Sequence, residues 1–166
     1  MKLNAKGFTL IEVVIVVGII SILAAFATPN ILDWIEDADY RSAARQIAQK
    51  LNIARSRAIN QNLQHRVKFD MGNNSFGIQV GDRPSNSTWV NGDPVVDQSF
   101  LPPIADFRYN LNCDNGLVDQ FISFNPRGSS DTQYICVVEA ATGTPRWQVG
   151  VPIAGTGRVV IQRLGN

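Results

Sequence analysis

Glu12 is the one charged residue in an otherwise uncharged run from Phe8 to Ala27. A carboxylate held within a membrane costs several kcal/mol unless it is paired, so an acid in such a run is a functional residue by default. Its chemistry would be neutralisation by a cation brought to it. Snorkelling to the membrane edge is the simpler alternative, because Glu12 lies only about 6 Å along a helix from Phe8. Little else in the chain suggests reactivity. His65 is the sole histidine, and no Ser/His/Asp order, phosphate-gripping glycine loop or carboxylate pair accompanies it. No catalytic residue, metal or cofactor is therefore expected, and Asp114 and Asp119 read as turn residues. The two cysteines, Cys113 and Cys136, form no CxxC and have no histidine nearby, which argues against a zinc site or a thioredoxin-like motif.

The element that must carry Glu12 is a helix. Residues 8 to 27 supply about twenty apolar positions, enough to cross a hydrocarbon core about 30 Å thick. Only Met1 to Gly7 precede them, and Lys2 and Lys6 would hold that leader on the cytoplasmic side. A secretory signal cut near Ala24, Ala25 or Ala27 is the competing account. It is weakened by the acid at the start of the run and by the amphipathic pattern that continues past Pro29. Gly18, Ser21 and Ala25 are small enough to let another helix approach, or are simply tolerated there.

Pro29 lacks an amide donor and predicts a kink or local melting at Thr28 to Asn30. Beyond it, Ile31, Ile35, Ala38, Ile47, Leu51, Ala54 and Ala58 form an apolar stripe at near-helical spacing that requires a partner surface. Asp33, Glu36, Asp37 and Asp39 come first, and Arg41, Arg45, Lys50, Arg55 and Arg57 later. That order complements the helix dipole and is either a solvated surface or a match to neighbouring subunits. The expected division is 1–7 leader, 8–28 membrane helix, 29–62 amphipathic continuation and 63–166 β-rich head.

The head changes period from helical to alternating. Strands are expected at His65 to Asp70, Ser75 to Val80, Val95 to Phe100, Phe107 to Asn112, Gln120 to Phe124, Tyr134 to Glu139, Arg146 to Val149 and Arg158 to Arg163. Thr142-Gly143-Thr144-Pro145 should join a hairpin. The polar stretch from Asp82 to Pro94 reads as a long loop that Trp89 pins by packing, or in which Trp89 makes an external contact. A length of 166 residues suits one domain, and a formal charge of +1 argues against a strongly basic nucleic-acid binder.

Lys6-Gly7-Phe8-Thr9-Leu10-Ile11-Glu12 resembles the processing motif of type IV prepilins and type II secretion pseudopilins. The resemblance implies cleavage between Gly7 and Phe8 by a prepilin peptidase, N-methylation of Phe8, and pairing of Glu12 with the terminal amine of a neighbouring subunit. It also implies a single-pass inner-membrane precursor with a periplasmic head. Its partners would be other pilin or pseudopilin subunits, an inner-membrane assembly platform and lipid. Phe124-Asn125-Pro126-Arg127-Gly128 and Gly157-Arg158-Val159-Val160 are similar to the tail of minor pilins and pseudopilins of the GspH/FimT kind. That subgroup implies an α+β fold, a long N-terminal helix packed on a C-terminal antiparallel β-sandwich. The function implied is a minor subunit of a type IV pilus, with a secretion pseudopilus as the alternative. DNA capture, implied for some members, would fall to Arg158 and Arg163, although Val160 stands where a second arginine belongs and both arginines equally read as strand-edge charges that discourage aggregation. After export Cys113 and Cys136 would meet oxidising surroundings and form a disulfide, or else remain two buried thiols.

Overall fold

A computed structural model describes residues 8–89, 93–116 and 118–165, excepting the side chains of 26–33. The leader, with Gly7 of the expected cleavage pair, lies outside those residues, as does the side chain of Ile31. Two units divide the chain, Met1–Ala38 and Asp39–Asn166. One helix, α1 at Leu10–Gln61, contributes to both. It remains helical at Thr28 to Asn30, so the melting expected there does not occur. Proline's fixed φ near −65° is itself helical, and what Pro29 removes is one amide donor.

Within the second unit, Tyr40, Ala44, Ile47, Leu51, Ala54 and Ala58 recur at spacings of four and three and are all buried. Ala43 and Ala48 widen that stripe, and the small side chains let the sheets lie close to the helix. Ile35 and Ala38 do not belong to it, contrary to expectation. On a regular helix of 3.6 residues per turn they fall roughly opposite Tyr40 and Leu51, and both are exposed. Asn62, with φ of 53°, ends the helix in the left-handed conformation typical of such a cap.

Eight strands follow among the described residues: β1 (His65–Asp70), β2 (Ser75–Val80), β3 (Val96–Phe100), β4 (Ala105–Tyr109), β5 (Gln120–Phe124), β6 (Gln133–Glu139), β7 (Pro145–Val151) and β8 (Val160–Arg163). They form two four-stranded sheets, ordered β3-β2-β1-β5 and β4-β6-β7-β8, with every pair antiparallel. Phe69 and Phe76 of one sheet meet Phe107 of the other edge-on, at ring distances of 5.6 and 6.0 Å. This aromatic cluster joins the two layers. At the hairpin between β6 and β7, the Glu139 amide donates to the Thr144 carbonyl at 2.9 Å.

β3, β6 and β7 differ from expectation by one or two residues at their ends, and β4 and β8 start two residues away. β4 starts at Ala105 and stops at Tyr109, because Asn110 and Cys113 adopt φ of 76° and 60° and turn the chain away. β8 starts only at Val160, because Gly157, at φ of 58°, is held in a tight contact. A Cβ on Gly157 would stand 1.7 Å from the Gly128 carbonyl oxygen. Arg55 of α1 closes the same junction. Its Nε donates to the Gly128 carbonyl at 2.9 Å and its guanidinium to the Thr156 carbonyl at 3.2 Å. The two tail motifs thus meet over the helix.

The long loop is pinned by packing. Trp89 is half-buried, and the Arg66 guanidinium lies between its ring, at 4.0 Å, and that of Phe121, at 3.9 Å. Burial lowers the Arg66 pKa from its ordinary value, with the Asp93 carboxylate opposing. At the β1–β2 turn, the Asp70 carboxylate accepts from the Asn73 side chain at 2.9 Å and from the amides of Asn73 and Gly72 at 2.9 and 3.1 Å. The Asn73 side-chain bond is the main cause holding its carboxyl below the usual range. The turn's contribution is therefore present above the ordinary carboxylate pKa and is lost as pH falls through the lowered one.

Cys113 and Cys136 form a disulfide with Cα atoms 5.7 Å apart. Buried Gln148 donates to the Leu111 carbonyl at 3.1 Å, fixing the same loop. Replacing both cysteines by alanine should lower stability by about 3 kcal/mol. Urea unfolding of the detergent-solubilised chain would show this, and reductant should shift the wild type but not the variant. Gly157→Ala should cost about 3 kcal/mol or more, through clash and strain together. Gly155→Ala, at φ of 81° with nothing within 4 Å, should cost about 1 to 2 kcal/mol. Equal urea midpoints for the two would contradict the packing role of Gly157.

Candidate assembly helix

The start of α1 is capped. The Thr9 carbonyl accepts from the amides of Glu12 and Val13 at 3.1 and 3.3 Å, and its Oγ1 accepts from the Glu12 amide at 3.3 Å. Thr9 and Glu12 thus stand as the first and fourth members of an S/T-x-x-E capping box. Glu12 is exposed in the first turn, where the helix dipole favours a negative charge. Sequence reasoning singled out Glu12 and missed Thr9, although the three-residue spacing between them was the available signal.

Behind the cap, every Val, Ile and Leu from Leu10 to Leu23 is between 49% and 83% exposed. A helix apolar on all sides is stable only when lipid or other protein surrounds it. Burying eleven such side chains would contribute on the order of 10 kcal/mol. The polar exceptions fit that requirement. Ser21 Oγ donates to the Val17 carbonyl at 2.8 Å, leaving no hydroxyl donor for solvent. Gly18 has nothing within 4 Å of where a Cβ would stand, so another backbone could approach it.

Among the described residues, no helix is long and apolar enough to cross a membrane. The apolar stretch whose side chains are described, Leu10–Ala25, rises about 24 Å at 1.5 Å per residue. That falls short of a core about 30 Å thick. Phe8 is the first described residue and is 83% exposed.

The remaining candidates lie in the head. Arg158 is exposed on the loop before β8, and Arg163 is exposed on β8, opposite Trp147 on β7. β8 is the edge of its sheet, where charged side chains discourage strand pairing. His65 is fully buried, with Nδ1 3.1 Å from the Leu63 carbonyl. No cluster of three or more His, Cys, Asp or Glu able to hold a metal occurs among the described residues. Arg55, the bridge between the tail motifs, was read from sequence only as one of the basic residues of the helix. Its acceptors lie 73 and 101 positions away.

Comparison with known proteins places this arrangement. A family model described as the prokaryotic N-terminal methylation motif matches residues 2–28. A second, described as type II transport protein GspH, matches residues 43–157. The type IV major fimbrial protein FimA of Dichelobacter nodosus is 38% identical over 110 residues, covering 66% of this chain and 58% of that protein. The chain thus spans less than two thirds of that relative. The type II secretion system core protein G of Vibrio cholerae is 51% identical over 115 residues, covering 69% of this chain and 77% of that protein. Among solved structures, the minor pseudopilin EpsH of Vibrio cholerae superposes with a TM-score of 0.56 at 14% identity, covering 77% of this chain and 99% of that one. The type IV minor pilin FimU of Pseudomonas aeruginosa gives 0.53 at 15%, covering 78% and 92%. At such identities these likenesses speak for the fold, which is pilin-like. With the methylation motif ahead of a matched domain, the chain belongs to the GspH family of pilin and pseudopilin proteins.

Proposed function

We propose that the chain is a minor pilin, made as a precursor, cut between Gly7 and Phe8 by a prepilin peptidase and methylated at Phe8. Residues 8–28 hold it in the bacterial inner membrane with its head in the periplasm. An inner-membrane platform then draws it into a type IV pilus, at or near the tip. The observation that carries this is a capped helix with apolar side chains exposed on every side and one acid in its first turn. Such a helix suits lipid first and a bundle of like helices afterwards, because both surroundings are apolar. Glu12 would meet the terminal amine of a neighbouring subunit, so that two charges neutralise each other as they leave water. Pro29, lacking its donor, is where the helix would bend during that transfer.

A secretion pseudopilus is the second reading, favoured by the type II transport description of the matched family and by 51% identity to a secretion-system core protein. Processing would be the same in both machines.

Co-expression with a prepilin peptidase, followed by intact mass and N-terminal sequencing, should give a chain beginning at methylated Phe8, and Gly7→Val should remain uncut. Glu12→Gln should still be cut but enter sheared filaments at least tenfold less, equivalent to about 1.4 kcal/mol of lost pairing. Recovery in surface filaments supports the pilus, whereas retention with the secretion apparatus supports the pseudopilus. An uncut wild-type chain, or a cut near Ala27, would overturn both.

A further inference from the structure

Trp34 is 73% exposed, the most exposed aromatic ring among the described residues after Phe8. A free indole surface is unfavourable in water, yet its N–H makes full burial in hydrocarbon equally unfavourable, so tryptophan collects where a membrane meets water. Its position along the helix is informative. Trp34 follows Glu12 by 22 residues, about 33 Å at 1.5 Å per residue. A hydrocarbon core of about 30 Å would therefore place Glu12 and Trp34 in opposite interfacial layers.

Charge agrees with that placement. Lys2 and Lys6 precede the apolar run, while Asp33, Glu36, Asp37 and Asp39 surround or follow Trp34. Basic residues on one flank bias that flank toward the cytoplasm, and the acidic ones around Trp34 keep the other flank at the water side of the interface. Tyr40, the next aromatic, is not available for such a role, since it is buried and its hydroxyl donates to the Ile104 carbonyl at 3.1 Å. Ile35, beside Trp34 and 46% exposed, adds apolar surface.

We infer that Trp34 is a lipid-interface anchor, seated in the headgroup layer of the outward-facing leaflet, that fixes how deeply the chain sits in the membrane before assembly. The inference rests on the membrane reading of residues 8–28 proposed above.

The test uses the full chain in vesicles of phosphatidylcholine and phosphatidylglycerol brominated either high or low on the acyl chains. Tryptophan fluorescence of the wild type is compared with that of Trp34→Phe, so that the difference isolates Trp34 and the two head tryptophans serve as reference. Ile19→Trp in the Trp34→Phe background reports on the middle of the run. The Trp34 component should be quenched more by high than by low bromines, and the Ile19→Trp signal more by low than by high. A Trp34 component untouched by either lipid but quenched by aqueous iodide, while Ile19→Trp responds to low bromines, would overturn the anchor and leave the membrane reading intact. Stronger quenching of Trp34 by low bromines would also overturn it. Failure of both probes to respond to bromines would overturn the membrane reading and the anchor with it.

Discussion

A helix that is apolar around its whole circumference has no stable arrangement in water, and residues 10–25 of α1 form such a helix. Their burial would contribute on the order of 10 kcal/mol, comparable to the entire net stability of a typical domain. The core of the second unit is filled from within by the stripe beginning at Tyr40 and by both sheets. A helix apolar all round is stable only where lipid or other protein surrounds it. Glu12 then becomes intelligible, since a carboxylate beside so much apolar surface is tolerable only at an edge or opposite a cation. Thr9 fixes the helix start three residues ahead of that acid.

The head solves a different problem, holding two sheets and a helix together with a modest core. Alanines along α1 bring the sheets close, and Phe69, Phe76 and Phe107 join the layers. Arg55 ties the loops that follow β5 and β7 to the helix, and the close approach of Gly157 to Gly128 makes that junction tight. The glycines of the tail motifs are thereby accounted for by packing. The adjoining arginines, Arg127 and Arg158, remain exposed.

How much of this was legible in advance depends on whether the cause was local. β1, β2 and β5 occur at the expected residues because alternation with bounding turn residues is a local signal. The cysteine pair was readable from compartment and count. Ile35 and Ala38 lie near helical spacing from the stripe, but their angle on the helix, which spacing alone does not display, places them opposite it. β4 and β8 were displaced because left-handed residues at Asn110, Cys113 and Gly157 answer to contacts distant in sequence. Arg55 was opaque for the same reason, its two acceptors lying on loops that only the finished sandwich brings together.

The proposed assembly through the helix would also require that the head not assemble by its sheets, since exposed edge strands are templates for pairing with other chains. Three of the four edges carry devices against this. β3 has a register shift opposite Phe76 and Ile78, and Asp97, at φ of 54°, is gripped by Lys50 through its carbonyl and by Arg57 through its carboxylate. β4 is closed at one end by a bridge from Tyr109 to Asn115, inside the loop that the disulfide holds. β8 has only four residues and ends in Arg163. Bulges, covering loops, short strands and charge each remove a row of amides from competition. With strand pairing discouraged along these edges, the large apolar surface of α1 remains the stronger drive to associate. In the assembly proposed above, helix would then meet helix while the head keeps its fold.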